Sequence, residues 1–69
     1  MSHHGQRLDS LKTQRLAAGQ TITGLAKKAN VSDRIVINLE NGGACEPWEA
    51  QRIADALGVS LVTLGLANL

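Results

Sequence analysis

Apolar residues recur at helical spacing in several separate stretches of this chain, divided by short polar or glycine-containing breaks. In the first stretch Leu8, Leu11 and Leu16 fall with Arg15 into a pattern that predicts a helix over about 7–18, which Gly19 would end. The second helix is expected over 21–29. Thr21 caps its start, and Gly24 inside it costs roughly 1 kcal/mol relative to Ala while letting a neighbouring backbone come near. Asn30 suits a left-handed turn position. The third helix is expected over 32–41, opened by Ser32 and stopped by Asn41-Gly42, although the β-branched run Ile35-Val36-Ile37 would favour a strand on propensity alone. Pro47 suits a first helical turn, and Ala50, Ile53, Ala54 and Leu57 repeat behind it up to Gly58. Ser60 can cap a short fifth helix over 61–66. Residues 1–7 read as a flexible polar tail and 8–69 as one domain, with no repeat, linker or low-complexity block.

The segment 21–41 is the most informative. If its two short helices cross steeply, Leu25, Ala26, Val31, Val36 and Leu39 share one buried side, and the small Ala26 permits close backbone approach. That geometry is a helix-turn-helix, whose second helix can enter a DNA major groove. With Val36 and Leu39 turned inward, helical rotation sends Asp33, Arg34, Ile37, Asn38 and Asn41 to the opposite side. Arg34 can bond guanine O6 and N7 with its planar fork, or serve as a solvated charge or phosphate contact. Asn38 either pairs with adenine or is a polar surface residue. Asp33 either accepts from cytosine N4 or favours the helix start through the dipole.

Thr21, Ser32, Asn41, Lys27 and the N–H groups of Gly42 and Gly43 are the expected phosphate contacts, because helix starts and glycine loops suit anions. Lys28 reads as an ordinary solvated charge. Ile35 and Ile37 are unusual near a groove. Either they meet thymine methyls or the face docks on another protein.

Leu25-Ala26, Val31-Ser32 and Leu39-Glu40-Asn41-Gly42, with Arg15 before them and Leu57-Gly58-Val59-Ser60-Leu61 after, resemble the phage lambda repressor and Cro type of helix-turn-helix protein over about 8–66. The resemblance implies an all-α, compact five-helix domain. It implies base contacts from Asp33, Arg34 and Asn38, and a partly buried ion pair between Arg15 and Glu40 that fixes the recognition helix. Two departures weaken the expected backbone anchoring: Ile22 stands where many members place a DNA-contacting Gln, and Gly43-Ala44 where many carry basic residues.

Composition narrows the picture further. Sixty-nine residues make one domain with a marginal core, so association is expected. One aromatic residue leaves no platform for stacking bases, which argues against single-strand binding. Seven basic and six acidic side chains leave a net charge of +1, so DNA affinity must come from placement of charge and from two copies adding their contacts. The single cysteine, Cys45, cannot form an internal disulfide, which fits a cytoplasmic protein, and no apolar run approaches the length of a membrane span. His3-His4 reads as tail rather than metal site. No nucleophile, base and acid arrangement and no phosphate loop are present, so the chain reads as non-enzymatic and without cofactor.

The reading that results is a site-specific double-stranded DNA-binding regulator, a repressor working as a homodimer on a palindromic operator. Leu61, Val62, Leu64, Leu66 and Leu69 hold more apolar surface than one short helix can bury, and are assigned to the dimer contact. Trp48 is expected to pack on the loop after the third helix or to cover a neighbouring subunit. The alternative is a protein-interaction or antitoxin-like module on the same fold.

Overall fold

Capping chemistry sets the ends of the second and fourth helices in the computed structural model, which describes residues 5–68. A short strand β1 (Gln6–Leu8) leads into α1 (Leu11–Ala17), α2 (Ile22–Ala29), α3 (Asp33–Glu40) and α4 (Pro47–Leu57), and a strand β2 (Leu66–Asn68) closes the order. Thr21 caps α2, its hydroxyl accepting from Gly24 N–H at 2.9 Å. Asn30 ends α2 in the left-handed conformation, φ 59°. At the start of α4, beside Pro47, the Glu49 side chain reaches back to accept from the Glu46 N–H at 2.9 Å, while the Glu49 N–H donates to the Glu46 carbonyl at 3.0 Å.

The domain is built on four helices and a two-stranded sheet among the described residues, which corrects the expected five-helix, all-α count. Ser60 does cap a turn, its hydroxyl accepting from Thr63 N–H at 3.1 Å, but 61–65 remain turns. Gly65 then takes φ +77° and sends the chain back alongside β1. Pairing is antiparallel, with Arg7 opposite Ala67 and Leu8 opposite Leu66, and Gln6 also exchanges two 2.9 Å backbone bonds with Cys45. Residues 6 and 7 therefore belong to the sheet rather than to a tail or a helix. Residues 1–4 of the expected tail, His3-His4 among them, lie outside the described residues.

Because α1 begins at Leu11, its inward positions are Leu11 and Arg15, one turn apart, and Leu16 faces solvent instead of the core. The core gathers Leu8, Leu11, Leu25, Val36, Ile53 and Leu64, all fully buried, where α2 packs on both α3 and α4. Ala26, Ala50 and Ala54 are also fully buried and let the helices approach closely. The β-branched run stays helical because Val36 is buried and Ile35 packs against the core, so burial outweighs propensity.

A candidate nucleic-acid interface on the third helix

Two side-chain links hold α3 in place. At its C-terminal end, Glu40 receives Arg15 Nε at 2.5 Å and Nη2 at 3.0 Å, and Arg15 Nη1 donates to the Gln20 carbonyl at 2.8 Å. The bidentate bond holds the Arg15 guanidinium protonated beyond its ordinary range, against the opposing effect of burial. At its N-terminal end, the Thr23 hydroxyl of α2 donates to the Asp33 carboxylate at 2.9 Å. The sequence carries no local signal for this second link, because Thr23 and Asp33 meet only once the turn brings α2 and α3 together.

Val36 and Leu39 are buried, at 0% and 3% exposure, so α3 turns Arg34, Ile37, Asn38 and Asn41 outward as the helical rotation requires. Together with the edge of Ile35, these four residues line an open concavity of about 420 Å³. Arg34 is exposed, and no hydrogen bond or ion pair engages it among the described residues. Ile37 is 44% exposed. Ile35 is only half-buried surface and packs on the core, so the exposed pair of isoleucines expected from the sequence reduces to one. Asp33 is exposed on the first turn of α3, but its carboxylate is engaged by Thr23.

The expected phosphate contacts divide. Thr21 is exposed, and because its hydroxyl accepts from Gly24 N–H it keeps its own proton to donate. Ser32 is exposed and its hydroxyl makes no cap bond, while its carbonyl accepts from the Ile35 N–H at 3.1 Å. Lys27 and Lys28 are exposed at the end of α2. Asn41 is exposed at the C-cap of α3. Gly42 and Gly43 depart from expectation, since their N–H groups already donate to the carbonyls of Leu39 at 3.2 Å and Asn38 at 2.8 Å. A buried or satisfied amide has nothing left for a phosphate.

Other expected residues sit apart from this face. Trp48 is 53% exposed rather than packed on the loop, with the Arg52 guanidinium 5.0 Å from its ring centroid. Arg52 also donates to the Asn30 carbonyl at 3.1 Å, tying α4 to the end of α2. Leu64 is wholly buried in its own subunit, so it has no surface to give a partner and leaves the expected dimer set. Leu61 and Leu66 are half-buried, Val62 is 84% exposed, and Leu69 lies outside the described residues. No group of three metal-ligating side chains gathers among the described residues, and no helix there is long and apolar enough to cross a membrane.

A helix-turn-helix family model matches residues 11–64, which includes all four helices. The chain belongs to that family, the helix-turn-helix domains of the phage lambda repressor and Cro type. The family is a DNA-binding regulatory domain and not typically an enzyme. No curated protein and no solved structure matches the chain significantly.

Proposed function

We propose that this protein is a sequence-specific regulator of transcription that binds double-stranded DNA as a homodimer and represses from a palindromic operator, with α3 in the major groove. The observation that carries the reading is Arg34: a guanidinium unengaged among the described residues, on the outward face of a helix whose two ends are both anchored. A bidentate contact from such a group to guanine discriminates by about 1–3 kcal/mol. Thr21 and Ser32 supply hydroxyls at the starts of α2 and α3 for flanking phosphates. Asn41 and Lys27 add to them. The exposed Val62, with the half-buried Leu61 and Leu66, forms the contact between the two copies. Two-fold symmetry then sets half-sites about one DNA turn apart.

Selection of bound sequences from random duplex DNA tests the reading. An enriched inverted repeat, whose guanine preference disappears with Arg34→Ala, is the expected result. The second reading, a protein-interaction or antitoxin-like module, is favoured by Ile37 at 44% exposure beside Arg34 and by the engaged amides of Gly42 and Gly43. Enrichment of no sequence at low salt would decide for it.

A further inference from the structure

The outer face of α3 offers fewer free groups than its sequence suggests, and Asn38 is the main reason. Its side-chain amide lies flat over Gly43, where a Cβ would sit 2.4 Å from both Nδ2 and Oδ1 and 2.5 Å from Cγ. Gly42, next to it, needs glycine for its backbone, with φ +88°, but Gly43 is not among the residues with positive φ. Gly43 therefore leaves open a space that the Asn38 amide fills, and a side chain there would push that amide aside. In that space Asn38 Nδ2 donates to the Ala44 carbonyl at 3.3 Å. The backbone carbonyl of Asn38 meanwhile accepts from the N–H groups of Gly43 at 2.8 Å and Asn41 at 3.2 Å. One residue thus holds the loop through both its backbone and its side chain.

Reading adenine requires an asparagine to present Nδ2 and Oδ1 together to the base edge. Here the amide is turned back onto the loop, and turning it outward breaks the bond to Ala44. We infer that Asn38 is a positioning residue and not a base reader: with Gly43 it forms a latch that fixes the 42–44 loop against the end of α3, and base discrimination falls to Arg34 and Ile37. Asp33 is tied to α2 by the bond that Thr23 makes to one of its carboxylate oxygens. The inference rests on the DNA-binding reading above.

The test uses Asn38→Ala, Gly43→Ala and the double variant, each compared with the unmodified protein for bases selected, for affinity and for thermal stability. The latch predicts that Asn38→Ala weakens binding to every selected site by roughly three- to tenfold, the range of one lost hydrogen bond, with base preferences unchanged. Gly43→Ala weakens binding as well, because its methyl group displaces the amide. Removing Asn38 vacates that space, so adding Gly43→Ala to Asn38→Ala changes affinity by less than about twofold. Relaxed preference at a single base pair in Asn38→Ala would overturn the latch, because that is the mark of a base contact. So would multiplicative losses in the double variant, which would mean that the two residues do not share a space. Failure of the unmodified protein to enrich any sequence would overturn the DNA reading itself, and the inference with it; that failure is told apart because it precedes any substitution.

Discussion

Arg15 and Glu40, 25 residues apart in sequence, grip each other through two hydrogen bonds with both side chains only 8% exposed. Through the Gln20 carbonyl the same guanidinium reaches the turn before α2, so one side chain ties α1, the entry to α2 and the end of α3. A buried pair of this kind adds little net stability against an apolar replacement, yet losing one partner strands a charge. Arg15→Ala or Glu40→Ala should therefore lower unfolding stability by about 3–5 kcal/mol, while Arg15→Met with Glu40→Leu should leave it near the starting value. Urea denaturation measures all three. Single-variant losses under about 1 kcal/mol would mean that the pair is solvated and idle.

Gly65 is the hinge that makes β2 a strand. Its φ of +77° is one that side-chain-bearing residues rarely adopt, and an added Cβ would stand 2.9 Å from both the N and Oγ of Ser10. Gly65→Ala should cost about 1–3 kcal/mol. Amide exchange should quicken first at the bonds that Asp9 and Ser10 make with Gly65 and Leu64, and in the β1 and β2 pairing, while α2 and α3 keep their protection. Uniform loss of protection through all helices would show that the sheet and the helices open as one unit.

What the sequence reveals and what it hides follow from range. The ends of α2 and α4 are written in local chemistry, at Thr21, Asn30, Pro47 and Gly58, and the structure has each of these at or beside a helix terminus. The inward turn of Val36 and Leu39, and with it the outward turn of Arg34, follows from helical rotation alone. The sheet is hidden because β1 and β2 have three residues each and pair the two ends of the chain, so neither shows a period of its own. Leu61 to Leu66 look like surplus apolar surface for the same reason, since nothing local says that Leu64 drops into the core. At the site, the side chains of Asp33 and Asn38 read as free from spacing. Their partners, Thr23 and Ala44, lie ten and six residues away across turns, so only the folded chain shows them engaged.

Val62 and Leu64 separate association from folding. Val62 is 84% exposed and two residues later Leu64 is fully buried. If the 61–66 segment carries the contact between copies, Val62→Asp should shift sedimentation from dimer to monomer while the melting temperature extrapolated to low concentration stays within a few degrees. Leu64→Ala should instead cost about 2–5 kcal/mol of stability, the range for a truncated buried leucine. Unchanged sedimentation of Val62→Asp would place the contact elsewhere on the molecule.

Cys45 provides a pH test of the same core. Its side chain is 7% exposed between the strand partner Gln6 and the start of α4. Burial pushes the thiol up from 9.0 to about 11, helped by the carboxylates of Glu49 and Glu46 and opposed by a bond to the Ala50 backbone. The fold thus favours the neutral thiol. Its contribution to stability is complete below the unfolded value of 9.0 and is lost as pH rises through about 11, because the unfolded chain gives up that proton first. Stability should accordingly decline between pH 9 and 11, and Cys45→Ala should remove the part of the decline that belongs to this group. Below pH 9 the thiolate is scarcer in the folded protein than in the unfolded chain, so iodoacetamide should label the folded protein far more slowly than the unfolded chain. Labelling at the unfolded rate under native conditions would mean that the β1–Cys45 bridge opens freely and that the thiol is not held in the core.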